Sequence, residues 1–187
     1  MTPLPFARLR AWDDASADTR AFREIFDAAF PEEERRTDAD WPAALADPLC
    51  NARLYRADGD ARAILVFWDF GRCRYVEYFA LAPEARGGGL GSRLLREFLA
   101  ESAVPVVLEI EPPEDETTTR RLRFYERLGF ARDAREHFHP PYRAGFGRQR
   151  LVVLNSGGKP LAADARERFE RELETRAMRG VPAAKTR

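Results

Sequence analysis

Four glycines lie within five positions directly after an arginine, in the stretch Arg86-Gly87-Gly88-Gly89-Leu90-Gly91-Ser92. Glycine lets backbone N–H groups turn toward a bound anion, and it lowers stability wherever that freedom is not needed. An apolar run precedes the stretch and an amphipathic run follows it, so the loop opens a helix with a positive dipole end. Arg86 can add a charge-assisted contact. The stretch therefore favours phosphate binding, and a tight packing loop is the alternative.

Two common phosphate-binding loops are excluded by spacing. A dinucleotide loop has the pattern G-x-G-x-x-G, but counting from Gly87 places Ser92 where the third glycine belongs. A nucleoside-triphosphate loop needs a lysine near its end, and this stretch has none. A pyrophosphate cradle of another type remains, beside the packing alternative.

Two carboxylates interrupt an otherwise apolar stretch at 104–111, VPVVLEIE, which predicts a strand at the centre of a sheet. Glu109 and Glu111 are two positions apart, so on a strand they would share one face. Carboxylates are unusual in such a strand, and they are candidates for accepting a proton or binding a cationic substrate. Salt bridges to nearby arginines are the alternative. Glu77, on the strand that precedes the glycines, is a weaker candidate.

The two histidines, His137 and His139, carry the side chain that changes charge near neutral pH. Both lie near the stretch HPPYRAGFG at 139–147, whose prolines and glycines predict a loop. We expect both histidines to be structural or exposed rather than catalytic.

Composition narrows the classes of protein. The chain of 187 residues has 31 Lys plus Arg and 31 Asp plus Glu, so no global basic field suggests a nucleic-acid partner. Cys50 and Cys73 are too few for a disulfide framework and lack metal-ligand spacing, so no metal site is expected. No signal peptide or membrane-spanning run is apparent. A cytoplasmic protein without a membrane partner is the expectation.

Apolar periodicity and turn residues place the candidate groups on alternating strands and helices. Ser16 or Asp18 is expected to cap the first helix, and Asp58-Gly59 is a strong hairpin signal. The predicted strands are 5–13, two within 51–71, 72–83, 104–111, one beginning at 129, and 148–155. The predicted helices are 19–30, 40–49, 91–102, 120–130 and one from Leu161 onward, followed by a frayed tail.

This order predicts an α/β (α+β) fold with a mixed, mostly antiparallel sheet of about six to seven strands and helices on both faces. The hairpins imply antiparallel pairs, and the strand–helix–strand step from 75 to 111 implies a parallel crossover. We expect one domain at 1–156 and an accessory helix and tail at 157–187. That helix would dock on its own domain or on a second copy in a homodimer.

Two motifs resemble those of the GCN5-related N-acetyltransferase (GNAT) superfamily. In FALAPEARGGGLG, at 79–91, Arg86, Gly89 and Gly91 match the family signature [RQ]-x-x-G-x-[GA] between a strand and a helix. Further on, RFYERLGF at 123–130 is similar to the family's F-Y-x-x-x-G-F element. The order of elements from about residue 5 to 154 also resembles the family fold.

The resemblance implies a bound acetyl-CoA. Its pyrophosphate would lie over the amides of the glycine loop, and its pantetheine arm would pair with the preceding strand, where a bulge splays the sheet. An amide of that strand, such as that of Leu81, would face the developing oxyanion, and Tyr125 would protonate the leaving thiolate. The cofactor-binding residues implied are Phe79, Ala80, Leu81, Arg86, Gly87, Gly88, Gly89, Leu90, Gly91 and Ser92.

The function implied is transfer of an acetyl group from acetyl-CoA to a primary amine by direct attack in a ternary complex. The amine belongs to an unidentified small molecule or peptide, and the catalytic candidates are Tyr125, Glu109 and Glu111. The acceptor site is expected near 31–36 and 140–143. A non-catalytic acyl-CoA-binding or regulatory module is the alternative.

Overall fold

A seven-stranded mixed sheet forms the centre of the structure, a computed structural model that describes residues 3–181. The strands are β1 Phe6–Leu9, β2 Cys50–Ala57, β3 Asp60–Asp69, β4 Arg74–Leu81, β5 Val106–Ile110, β6 Ala131–Arg132, β7 Phe138–His139, β8 Gln149–Arg150 and β9 Val152–Asn155. The sheet order is β1-β2-β3-β4-β5-β9-β6, and β4–β5 is its parallel pair. The expected mixed, mostly antiparallel sheet is thus confirmed.

Helices cover both faces of this sheet. They are α1 Ala17–Ala29, α2 Trp41–Ala46, α3 Leu90–Ala100, α4 Glu116–Glu126 and α5 Ala163–Glu172. On the face that we call the α1 face, α1, α2 and α5 bury aromatic side chains such as Phe22, Trp41 and Phe169. On the opposite α3 face, α3 and α4 bury Phe98 and Leu122 among others. Alternate residues of each strand therefore enter two different cores.

The local signals that were strongest in the sequence are confirmed. Ser16 caps α1, and its hydroxyl accepts a hydrogen bond from the Thr19 amide at 3.4 Å. Asp58 and Gly59 both have positive φ, 54° and 87°, as a two-residue type I′ hairpin requires between β2 and β3. Helix α3 makes the parallel crossover from β4 to β5.

Strands β4 and β5 separate partway along their length, and we call this separation the fork. They pair only from Arg74↔Val106 to Val76↔Leu108, after which β5 pairs with β9 alone. The partner of β3 shifts from Val76 to Tyr78, so Glu77 is the extra residue of a β-bulge. A bulge bends the strand that carries it, which explains why β4 leaves β5 at this point.

The expected strands after 129 are shorter than the periodicity predicts. Strand β6 ends at Arg132 because Asp133 turns back and accepts a hydrogen bond from the Arg135 amide at 3.0 Å. The expected strand at 148–155 is two strands: β9 joins the main sheet, whereas β8 forms a separate ribbon with β7.

The expected C-terminal helix packs on its own chain. Its apolar residues lie four positions apart, and α5 continues as a wider π-helical turn at Leu173–Ala177. A repeat of four drifts around an α-helix of 3.6 residues per turn, and the wider turn compensates for that drift. Phe169, Leu173 and Ala177 are each 1% exposed in the α1-face core. The expected tail beyond Val181 lies outside the described residues.

Candidate active site

The glycine loop connects the end of β4 to the first turn of α3. Gly87 and Gly89 have φ values of 85° and 76°, in the left-handed region that side chains disfavour. Gly89 is the N-cap of α3, and a Cβ at Gly87, Gly88 or Gly89 would have no atom within 4 Å. The loop is therefore open toward the outside, with its shape set by two left-handed residues.

The backbone amides of this loop are available to a ligand. Within residues 3–181, none of the amides from Gly87 to Ser92 donates a hydrogen bond to the protein; the first that does so is Arg93, to the Gly89 carbonyl. The first amides of any helix lack an intrahelical acceptor, and here the helix dipole adds positive potential. Exposed Arg86 donates through Nε to the Leu81 carbonyl at 3.3 Å, which holds its charge beside the loop. This arrangement fits a pyrophosphate.

Gly91 has a different role from its neighbours. A Cβ at this position would lie 3.4 Å from Leu81 Cδ1 and 3.7 Å from Phe124 Cζ. The start of α3 therefore lies directly against β4 and α4. The ring of Phe124 is 5.0 Å from that of Tyr125, so the residue that contacts Gly91 also contacts the predicted acid.

Beyond the fork, β4 has an unpaired edge. The Ala82 amide bonds the Arg62 carbonyl on the β3 side, and main-chain polar groups alternate in direction along a strand. The N–H groups of Phe79 and Leu81 therefore face the open side, whereas those of Ala80 face β3. An extended ligand on this edge would meet Phe79 and Leu81, with Ala80 between them.

Tyr125 lies in the core of the α3 face, 8% exposed. Burial raises the pKa of its hydroxyl to about 12, and the positive charge of Arg121 opposes that rise only in part. The hydroxyl has no hydrogen-bond partner among the described residues. Tyr125 is thus a protonated phenol that can donate.

Glu109 lies on the other side of the fork. It is the first residue of β5 past the last β4–β5 pair, and its side chain, 4% exposed, points into the α1 face. The Tyr75 hydroxyl donates to Oε2 at 2.6 Å, and His137 Nε2 bonds Oε1. Burial alone would raise the pKa of Glu109, but His139, His137 and Tyr75 together lower it. The side chain is therefore a carboxylate at neutral pH.

Glu111 does not share this buried environment. Strand β5 ends at Ile110, and Glu111 pairs instead with Arg121 on α4, both nearly half exposed. The salt bridge considered as the alternative is what the structure contains. A catalytic role for Glu111 stays a prediction.

Glu77, the bulge residue, is held in a buried ion pair. Its Oε1 accepts from Arg36 Nε at 2.7 Å and its Oε2 from Trp68 Nε1 at 2.7 Å, and the side chains of the pair are 0% and 2% exposed. Arg36 also donates to the Ala177 carbonyl at the C-terminal turn. Burial alone would lower the pKa of Arg36, but the charge of Glu77 raises it above its ordinary value. The pair ties the residues before α2 and the C-terminal turn to the fork.

Both histidines are buried against Glu109, which their sequence context did not predict. His137 Nδ1 lies 3.2 Å from Oε1 of Glu170 on α5 while Nε2 bonds Glu109. His139 Nδ1 donates to the Pro140 carbonyl at 2.6 Å, and its ring stacks on Tyr142. His139 Nε2 has no hydrogen-bond partner within 3–181 and lies 3.8 Å from Glu109 Oε2. The floor of the fork therefore contains a carboxylate with two imidazoles.

The predicted residues divide between the two faces of the sheet. Tyr125 and helix α3, which the open glycine loop begins, belong to the α3 face, whereas Glu109 and the two histidines belong to the α1 face. A reactant bound along β4 and a second one approaching from the α1 face would meet in the fork, with a proton donor on one side and proton acceptors on the other.

Known proteins share this arrangement of elements. A family model described as "Acetyltransferase (GNAT) domain" matches residues 51–132. The Bacillus subtilis protein named "Putative acetyltransferase YjbC" is 36% identical over 126 residues, which are 66% of this chain and 59% of that protein's length. The chain thus matches less than two thirds of that relative.

Solved structures agree with the fold. A "Putative acetyltransferase from GNAT family from Bacteroides thetaiotaomicron" superposes with a TM-score of 0.83 at 27% identity, covering 93% of this chain and 98% of that one. A GNAT family acetyltransferase from Elizabethkingia anophelis with acetyl-CoA bound has a TM-score of 0.56 at 12% identity, over 81% and 96% of the two chains, which supports the fold alone. No helix within 3–181 is long and apolar enough to cross a bilayer. The family model, the curated relative and the shared fold place this chain in the GNAT superfamily.

Proposed function

We propose that this chain is an N-acetyltransferase that transfers an acetyl group from acetyl-CoA to the primary amine of a small molecule or peptide. The observation that carries the proposal is the fork, whose free β4 edge leads directly into a loop of unpaired amides at a helix N-terminus. An extended arm ending in a pyrophosphate is the ligand shape that these two features suit together. Acetyl-CoA has that shape, and when bound it supplies a thioester with a good leaving group.

Binding would divide among the residues of the α3 face. The amides from Gly87 to Ser92 and the guanidinium of Arg86 would neutralise the pyrophosphate. The amides of Phe79 and Leu81 would hold the arm, and that of Phe79, which is nearer the start of the fork, would stabilise an oxyanion. Tyr125 would then give its proton to the departing sulfur.

The acceptor amine must lose protons before and during attack, because an alkylammonium has a pKa of about 10. Glu109 directly follows the last β4–β5 pair, so its carboxylate lies at the fork, and it would take a proton as the amine attacks. Its lowered pKa makes it a weak base that stays ionised, so it needs a way to pass the proton on. Because the proposed proton donor, Tyr125, and the proposed proton acceptor, Glu109, lie on opposite faces of the sheet, the amine would attack acetyl-CoA directly while both substrates are bound.

Two measurements test this proposal in sequence. In a thermal-shift titration, acetyl-CoA should raise the unfolding temperature of the protein. No shift at millimolar acetyl-CoA would contradict the proposed binding site. Thiol release should then be followed over a panel of primary amines such as tyramine, spermidine and Nα-acetyl-lysine amide. Binding without turnover of any amine would favour a non-catalytic acyl-CoA-binding module.

The acid assignment has a matched control in the same core. Tyr125→Phe should lower kcat by about 100-fold, the usual size of a general-acid contribution, with a smaller effect on acetyl-CoA binding. Tyr55→Phe removes another buried hydroxyl of the α3 face, one that contacts Arg53 on β2 rather than the fork. Equal turnover in Tyr125→Phe and wild type would remove the acid role.

A further inference from the structure

Glu34 is a partly buried carboxylate that lacks a cationic partner. It lies in the short 3₁₀ turn Glu32–Glu34, and its Oε1 accepts a hydrogen bond from Gln149 Nε2 at 2.9 Å. Among the described residues it forms no salt bridge. Burial raises the pKa of Glu34, the Gln149 amide lowers it, and the negative charge of Glu111 raises it again. A bound cation would therefore stabilise this carboxylate.

Glu111 adds a second negative charge near Glu34. Its own partner is Arg121, whose positive charge also lowers the pKa of Glu34, whereas the carboxylate of Glu33 raises it. Glu34 and Glu111, which we call the acidic pair, thus share one guanidinium. The pair keeps a net negative charge at the end of β5, beyond the point where β4 and β5 separate. Such an excess of negative charge attracts cationic ligands.

The β7–β8 ribbon connects the acidic pair to the floor of the fork. His139 and Gln149 lie directly opposite each other in this ribbon, so their side chains share one face with Cβ atoms about 5 Å apart. Gln149 contacts Glu34, and His139 Nε2 lies 3.8 Å from Glu109 Oε2. Glu34 and Glu109 are therefore joined through one cross-strand pair of side chains.

A buried nitrogen beside Glu109 lacks a hydrogen-bond partner. His139 Nδ1 lies 2.6 Å from the Pro140 carbonyl, so Nε2 is the ring nitrogen left for another group. The His139 side chain is 2% exposed, and within residues 3–181 nothing bonds Nε2. Buried polar atoms without a partner are rare in folded proteins, and a ligand is one of the groups that can satisfy them. This nitrogen and Glu109 together mark the inner end of a site whose outer end is the acidic pair.

We propose that the acceptor is a diamine, whose reacting amine lies beside Glu109 and His139 while its second, cationic amine binds Glu34. This inference rests on the proposed function and names the class of amine. Glu109 and Glu111 are two positions apart in extended chain, a distance of about 7 Å, and an alkyl chain of about four or five carbons covers it. Cadaverine is a diamine of this length.

Packed aromatic rings fix the distance between the two ends of the site. The His139 ring stacks on Tyr142 at 4.9 Å, and the Tyr142 ring lies 5.7 Å from that of Tyr78. The Tyr78 hydroxyl donates to the Glu34 carbonyl at 3.0 Å. These contacts run without a gap from His139 to the backbone of Glu34. The fold therefore sets the separation between the reacting amine and the second cation.

Three acceptors of equal chain length test the charge at the far end. Cadaverine, 5-amino-1-pentanol and 5-aminopentanoate carry a positive, a neutral and a negative group there. We expect kcat/KM for cadaverine to exceed that for the alcohol by about tenfold, the scale of one hydrogen bond to a charged group, and the acid to be the poorest acceptor. Equal kcat/KM for all three would overturn the diamine site and leave the proposed acetyl transfer intact.

Glu34→Gln tests the residue that binds the second cation. The glutamine carbonyl can still accept from Gln149, so the contact with the ribbon is kept while the charge is lost. The preference for cadaverine over 5-amino-1-pentanol should fall by about tenfold, and Glu34→Lys should reverse it in favour of 5-aminopentanoate. An unchanged preference in Glu34→Gln would overturn the assignment.

Glu33→Gln is the matched control in the same turn. Glu33 is exposed, and its substitution removes the same charge one position away. The preference for cadaverine should stay within about twofold of wild type, because an exposed charge is screened by solvent. A loss equal to that of Glu34→Gln would overturn the site, because the effect would then come from the general charge of the turn.

A binding measurement separates this inference from the proposed reaction. In isothermal titration of the protein alone, cadaverine should bind about tenfold more tightly than 5-amino-1-pentanol, and Glu34→Gln should remove the difference. If wild type acetylates no amine, the proposed function fails, and this titration still decides whether the diamine site exists. Equal affinity of wild type for the two compounds would overturn it.

Discussion

Replacing Gly89 and Gly91 separately with alanine tests whether the glycine loop is built as described. Gly89 has φ 76° and ψ 0°, and a Cβ there would meet no atom within 4 Å. The whole penalty of Gly89→Ala is then the left-handed backbone, about 1–2 kcal/mol. Gly91 lies inside α3 with an ordinary φ, and its Cβ would meet Leu81 at 3.4 Å, an ordinary contact. Alanine in a helix gains about 1 kcal/mol over glycine, so Gly91→Ala should match or exceed wild type.

Urea unfolding and thermal melts would measure this difference directly. For a chain of this size, a loss of 1 kcal/mol lowers Tm by roughly 2–4 °C, so Gly89→Ala should melt roughly 2–8 °C lower and Gly91→Ala no lower than wild type. The stabilisation by acetyl-CoA should shrink in Gly89→Ala, because its amides lose their orientation. If Gly91→Ala lost as much stability as Gly89→Ala, close packing rather than backbone geometry would explain the glycines, and our account of the loop would be wrong.

Three further predictions concern stability. Arg36→Met leaves Glu77 buried without its partner and should lower the free energy of unfolding by about 3–5 kcal/mol. The double variant Arg36→Met/Glu77→Gln should restore most of that loss. A loss below about 1 kcal/mol for Arg36→Met in urea titrations would contradict the buried pair. Burial would raise the pKa of Asp133, but Arg135 and Arg166 lower it to about 2 from 3.8. Because the pKa of Asp133 is lower in the folded than in the unfolded chain, its ionisation adds roughly 2 kcal/mol to the free energy of unfolding at pH values above the unfolded-state pKa. This contribution is lost as the pH falls through the folded-state pKa. Thermal melts from about pH 5 to about pH 2 should therefore show a smaller acid-induced drop in Asp133→Asn, and parallel curves would argue against this. Ser16→Ala should lose about 1 kcal/mol through its cap, measured by urea unfolding, and no change would mean that the cap contributes nothing.

Turns and helix caps could be predicted from the sequence where a few neighbouring residues determine the backbone conformation. Asp58-Gly59 can hardly be anything but a type I′ turn, and Ser16 precedes a helix with clear apolar spacing. The positions of the glycine loop and of the F-Y-x-x-x-G-F element could also be predicted. Each contains glycines whose backbone conformation other residues disfavour, and each occupies a fixed position in the order of strands and helices.

The buried polar residues could not be predicted, because their meaning depends on contacts distant in sequence. Glu109 meets His137, 28 positions away, and Glu77 meets Arg36, 41 positions away. One signal was available: His137 and His139 are two positions apart, a spacing that puts both on one face of an extended segment. The nearby prolines suggested a loop and hid that alternation.

The environment of Glu111, at the end of β5, could not be predicted for a related reason. Alternation predicted that Glu109 and Glu111 would share a face, but alternation does not say which of the two is buried there. Strand β9 pairs with β5 only as far as Ile110, so Glu111 lies past the paired strand, where it is partly exposed and pairs with Arg121. Where a strand stops depends on its neighbour, and the sequence of the strand alone does not contain that information.

The bulge at Glu77 has a consequence for how such a cleft can arise. Before it, Tyr75 faces the α1 side and Val76 the α3 side; after it, Tyr78 and Phe79 repeat that order. Removing Glu77 would thus leave every other side chain of β4 on its present face and join two halves that already match. The fork therefore results from one additional residue, Glu77, in an otherwise regular strand. A plain sheet and a sheet with an open fork are separated here by one inserted or deleted residue, and Arg36 is the counter-ion of the inserted charge.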